Sequence, residues 1–171
     1  EEIETLVITE GFFKAFKACM CGADVIGIGG ITMFTDTSTG GIHRDIKRVI
    51  IDCKVKKVVF LHDGDCLDIS KSLLESPELL TSKDASERPR NFRNTVTKFF
   101  QVYKPELPNV EIYWSYVNSS AISDNPKGLD DLLVTHPEEA DRVVYDLGHP
   151  ELITSYFNIC NLNKERASLA K

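Results

Sequence analysis

The chain has 171 residues, 42% of them hydrophobic and 27% charged, with 20 Lys and Arg against 26 Asp and Glu for a formal net charge of −6. That apolar fraction excludes a disordered chain, and the length suits one domain rather than two. No apolar run is long enough for a membrane helix, and from the acidic, strand-like start EEIETLVIT no secretory leader is expected. The expectation is a cytoplasmic module of a larger protein, with no membrane partner.

The first strand is expected at Thr5 to Thr9 (TLVIT), apolar on both faces as a buried parallel strand requires. A helix follows over 11–22, with Phe12, Phe13, Phe16, Cys19 and Met20 at helical spacing as its expected buried stripe and Lys14 and Lys17 outside it. A second strand spans Asp24 to Ile28. Residues 42–53 read as a helix with Ile46, Val49, Ile50 and Cys53 inward. The third strand, Lys57 to Leu61, runs into His62-Asp63-Gly64-Asp65. Residues 66–84, with Pro77, are mixed. A long helix is predicted over 91–104, with Phe92, Val96, Phe99, Phe100 and Tyr103 on one side and a basic opposite side, stopped by Pro105 and Pro108. The fourth strand is Val110 to Val117. A helix is expected from Pro137 and a last helical stretch from Pro150 to Cys160. Strands alternating with helices imply an α/β fold, a mostly parallel sheet covered on both faces.

Open α/β sheets bind ligands outside the carboxyl ends of their strands. Acids recur there: Glu10 after the first strand, Asp63 and Asp65 after the third, Asp130 and Asp131 beyond the loop that follows the fourth. Asp and Gly are also ordinary turn residues after strands. Clustered carboxylates repel unless a cation lies among them, and hard oxygen donors suit Mg²⁺ or Mn²⁺. Such an ion is suited to phosphoryl transfer. The five cysteines fall at irregular spacing with no CxxC pair, which favours small buried hydrophobes over a zinc cage.

VITEG at 7–11, FLHDGD at 60–65 and their order along the chain resemble the Toprim domain shared by bacterial-type primases, type IA and type II topoisomerases and some nucleases. Lys14-Ala15, Gly27-Ile28-Gly29-Gly30 and Lys127-Gly128-Leu129-Asp130-Asp131 resemble the primase-type branch found in plasmid, phage and mobile-element replication proteins. The resemblance implies a Toprim-like, Rossmann-like, mostly parallel four-stranded sheet with helices on both faces. It implies a catalytic domain over 1–135, and a C-terminal helical extension over 136–171 that packs on it or leads to a further domain. The implied activity is DNA primase-like nucleotidyl transfer with Mg²⁺ or Mn²⁺, making primers on single-stranded DNA from nucleoside triphosphates beside replication domains such as a helicase. Glu10, Asp63 and Asp65 would be the catalytic and metal-holding acids. Lys14, Lys17, Lys127, Asp130 and Asp131 would be further site or phosphate-binding groups. A nuclease or strand-transfer domain, or a non-catalytic nucleic-acid-binding module, are the alternatives. Two departures stand out: Phe12-Phe13-Lys14 occupies a stretch where many primases carry another acid, and Cys66-Leu67-Asp68 follows the Asp pair.

Arg88, Arg90, Arg93 and Lys98 form a basic strip on the long helix, the expected nucleic-acid contact. His62 is expected to point away from Asp63 by strand alternation. His43, His136 and His149, near expected helix starts or turns, read as surface or capping residues. Trp114 reads as core. No Walker-type phosphate loop is present.

Overall fold

The computed structural model describes residues 1–68 and 82–164. Its elements are β1 (Thr5–Glu10), α1 (Phe12–Met20), β2 (Val25–Ile28), α2 (Arg44–Asp52), β3 (Lys57–His62), α3 (Ser82–Glu106), β4 (Glu111–Val117), α4 (Leu129–Thr135), α5 (Ala140–Gly148) and β5 (Phe157–Asn161). They build an α/β fold around one sheet in the order β2-β1-β3-β4-β5. The first four strands are parallel, and β5 pairs antiparallel with β4. Among the described residues no helix is long and apolar enough to cross a membrane.

The sheet therefore has five strands rather than four. The fifth comes from the stretch expected to be helical up to Cys160: Phe157 to Asn161 lies along the free edge of β4, with Trp114 opposite Cys160. Residues past 135 are thus built into the sheet. Thr5 of β1 donates its hydroxyl to the Gly148 carbonyl at the end of α5, 2.7 Å away. Pro137 opens a short 3-10 turn rather than α5 itself, and α4 precedes it as a separate helix. Pro105 does not stop α3, which runs to Glu106. The part of the mixed 66–84 stretch that holds Pro77 lies outside the described residues.

Two apolar layers flank the sheet, as strand alternation demands. On one face Leu6, Ile8, Val58 and Phe60 meet α2 and α3. There Phe60 stacks on Phe99 at 4.3 Å, Phe99 on Tyr103 at 4.0 Å, and Phe34 closes the cluster edge-on. Such ring pairs contribute about 0.5–1.5 kcal/mol each beyond area burial. The Tyr103 hydroxyl also donates to the Phe34 carbonyl at 3.0 Å, tying the long β2–α2 connection to the core. On the opposite face Val7, Val59 and Leu61 meet α1, α4 and α5.

Helix α1 presents the reverse of its expected face. Ala15 and Ala18 are buried, whereas Phe12, Phe13, Phe16 and Met20 are 72%, 78%, 54% and 69% exposed and Cys19 is exposed too. The reason is proximity. A side chain at Gly27 of β2 would begin 2.9 Å from the Gly11 carbonyl oxygen and 3.0 Å from the Ala15 Cβ. At that separation only alanine and glycine fit between helix and sheet, so the large residues are left facing solvent.

Candidate functional site

The chain leaves β1 toward β2 on one side and, after β3, toward β4 on the other. Helix α1 lies on one face and α3 on the opposite one. The strand order therefore reverses between β1 and β3, and a crevice opens at their carboxyl ends, the usual ligand position in such sheets. Glu10 ends β1 and Asp63 follows β3, and register places Thr9 beside Leu61. The two predicted acids thus lie at neighbouring strand ends, Glu10 by alternation on the side of Ile8 and Phe60 and Asp63 on the side of Leu61. Gly11 makes the turn from strand to helix at φ 104°, a conformation that suits glycine.

Asp63 is held by Lys14. The lysine Nζ lies 2.7 Å from Oδ1 and 2.9 Å from Oδ2 and donates to the carboxylate across the crevice. Burial raises the Asp63 carboxyl above the ordinary range, and Lys14 pulls it part of the way back. Asp65 faces two cations: Arg88 Nη2 and Lys127 Nζ both stand 3.1 Å from its Oδ2. The pairing with Asp65 raises the Lys127 ammonium above its usual value. The loop that carries Lys127 is stitched to the β3 end by the Gly64 N–H, which donates to the Lys127 carbonyl at 2.7 Å. Gly64 has no room for a side chain, since one would begin 1.8 Å from Ser119 Oγ and 2.6 Å from the Val117 carbonyl oxygen. Asp130 joins the same corner: its Oδ1 and the Asp63 Oδ1 each stand 2.9 Å from the point where a Gly128 side chain would start.

The remaining predicted residues separate. Glu10 is exposed and makes no side-chain hydrogen bond or ion pair among the described residues. Asp131 follows Asp130 in the first turn of α4, where both offset the helix dipole, but Asp131 is exposed. Lys17 is half-buried on α1. Arg90, Arg93 and Lys98 are exposed on α3, while Arg88 is drawn into the site and also lies over the Phe92 ring at 5.7 Å. Beside Asp65 and Lys127 a cavity of about 350 Å³ opens, lined also by Tyr116, Asn118, Ser119 and Asn158. Sequence reasoning leaves Asn118, Ser119 and Asn158 out, because nothing in their spacing marks them before the β4–α4 loop is folded over β3.

His62 takes the opposite side from Asp63, as alternation requires. It is 3% exposed, its Nδ1 accepts from Trp114 Nε1–H at 2.9 Å, and its ring meets Phe60 and Phe92. The tryptophan donor fixes the imidazole proton on Nε2, which is buried without a hydrogen-bond partner. Burial drives the His62 pKa down to about 4, so it is a neutral core residue. Trp114 is half-buried against it. His43 caps α2, its Nδ1 accepting from the Asp45 N–H.

The donor set can be tested against a divalent cation. Carboxylate oxygens of Asp63, Asp65 and Glu10 are the right chemistry for Mg²⁺ or Mn²⁺. Among the described residues, however, no three acidic, histidine or cysteine groups converge as a metal cage, and ammonium and guanidinium groups stand where a cation would. The donors fit in kind, with Lys14, Lys127 and Arg88 as the charges an ion must displace.

Fold and site together define a class: an α/β chain with a charge-balanced acidic and basic crevice at a strand-order reversal. Neither a protein-family model nor a curated protein matches the chain.

Proposed function

We propose that this chain is a Toprim-type module for divalent-metal-dependent nucleotidyl transfer in DNA replication, of the primase kind, acting on single-stranded DNA and nucleoside triphosphates. The observation that carries the reading is the position of Glu10 at the end of β1 and of Asp63 and Asp65 just past β3, the carboxyl ends of adjacent parallel strands. In this reading Asp63, Asp65 and Glu10 hold Mg²⁺ or Mn²⁺, which offsets charge on a triphosphate. Lys14, Lys127 and Arg88 already balance the two aspartates, and become phosphate partners once those aspartates are engaged elsewhere.

The test is an Mg²⁺ titration followed by amide NMR, on the chain and on Asp63→Asn, alongside primer synthesis on a single-stranded template. Saturable shifts confined to the surroundings of Glu10, Asp63 and Asp65, absent in the variant, are the expected result. An intact fold with no localised shift in either protein removes the metal from the reading.

One observation favours a second reading. Both oxygens of Asp63 are engaged by Lys14, which suits a module that binds nucleic acid without turnover. Equal DNA binding with and without Mg²⁺, and no primer synthesis, is its signature.

A further inference from the structure

The exposed face of α1 is the largest departure from the packing that the sequence suggests. Three phenylalanines and a methionine side by side in solvent are informative in a way that one exposed apolar residue is not. They take no part in holding the helix down, because Ala15 and Ala18 do that. The rings are ordered against one another: Phe12 and Phe16 lie 6.2 Å apart and within 12° of parallel, and Phe13 meets Phe12 edge-on at 5.9 Å.

The charge beside them is of one sign. Helix α1 reads FFKAFKACM, with Lys14 and Lys17 and no acid. Lys14 reaches Asp63, so this face and the crevice share one short helix. Flat π-surfaces interleaved with cations match the two parts of an unpaired nucleic-acid strand, its bases and its phosphates. A second copy of the chain is a poorer complement. A two-fold contact through this face would bring each α1, with Lys17 beside its phenylalanines and Lys14 engaged by Asp63, against the same helix of the partner.

We infer that Phe12, Phe13 and Phe16, with Lys17 beside them, form a stacking surface for unpaired nucleobases that leads a single strand to the Asp63 crevice. The inference rests on the nucleic-acid part of the proposed function. It adds an aromatic surface on α1 to the basic strip expected on α3.

The test uses the 171-residue chain and a fluorescently labelled oligothymidylate, read by anisotropy over a range of salt. Phe12→Leu with Phe16→Leu keeps apolar bulk and removes the π-faces. Both positions are exposed, so the thermal midpoint should hold. Binding should weaken by at least about tenfold, since stacking is strong for each base held. Lys17→Gln should flatten the dependence of log K on log salt by about 0.7, the share of one neutralised phosphate on a single strand.

Wild-type affinity in the leucine pair, with binding lost in Arg90→Gln/Arg93→Gln, overturns the stacking surface and leaves nucleic-acid binding standing on α3. If the chain binds no oligonucleotide at low salt, both the inference and the nucleic-acid reading fall. Self-association in sedimentation that Phe12→Ala/Phe16→Ala abolishes would then assign the face to a protein contact.

Discussion

Lys14 places its ammonium within hydrogen-bonding distance of both oxygens of Asp63, joining the first turn of α1 to the end of β3 across the crevice. The pair is three-quarters or more removed from solvent, with side-chain exposures of 19% and 25%. A partly buried ion pair is costly to break from one side, because the surviving charge stays desolvated.

Lys14→Met should therefore destabilise the chain by about 1–3 kcal/mol at neutral pH, which for a domain of this size lowers the thermal midpoint by about 2–4 °C per kcal/mol. Asp63→Asn should behave differently. A carboxyl raised by burial contributes stability that is present below its unfolded pKa and lost as pH rises through its folded one. At pH 7 the asparagine removes the carboxylate's burial cost but leaves Lys14 without its partner, so its midpoint is expected to fall less than that of Lys14→Met. Thermal melts of the two variants and their double mutant check the order.

His62 gives a pH dependence of known direction. Its folded pKa of about 4 lies below the unfolded value of 6.5. Its contribution is complete above pH 6.5 and is lost as pH falls toward 4, because the unfolded chain takes up the proton first. Between pH 7.5 and pH 5 this amounts to about 2 kcal/mol. His62→Gln retains an acceptor for Trp114 and should remove that much of the pH slope in urea unfolding.

Gly64→Ala should damage fold and site together. The added methyl has nowhere to go between Ser119 Oγ and the Val117 carbonyl. Overpacking of this kind costs about 1–3 kcal/mol. The loop carrying Lys127 should retreat with it, seen as changed amide shifts for Lys127 and Gly128.

The two faces of α1 should respond oppositely to substitution. Phe13→Ser changes an exposed residue and should shift unfolding by no more than about 0.5 kcal/mol. Ala18→Leu enlarges a fully buried residue and should cost about 1–3 kcal/mol. Urea unfolding of both decides which side of the helix is the core.

Much of this architecture is legible in the residues, for stated reasons. TLVIT and KVVFL are apolar on both faces, so β1 and β3 read as central strands, and the acids after them lie where parallel strands end. Phe99 and Tyr103 announce α3 by their spacing. The face of α1 is not legible, because periodicity reports which residues share a face, not which face is near the sheet. Gly27 and Ala15 make that choice, and they are small residues that carry little weight in a hydrophobic stripe. Strand β5 escapes the sequence because FNICN is short and pairs on one side only, leaving Phe157 as its only buried residue. The crevice acids are readable. Their cationic partners Lys14, Lys127 and Arg88 come from three segments far apart in sequence, and only the fold shows which charge meets which.

The seam between Gly27 and Ala15 acts as a ruler. It sets how closely α1 lies on the sheet, and α1 carries Lys14, so the thickness of one methyl group in the core fixes the reach of an ammonium group at the crevice. A residue with no side chain, two strands away from Asp63, thereby calibrates the electrostatics of that acid.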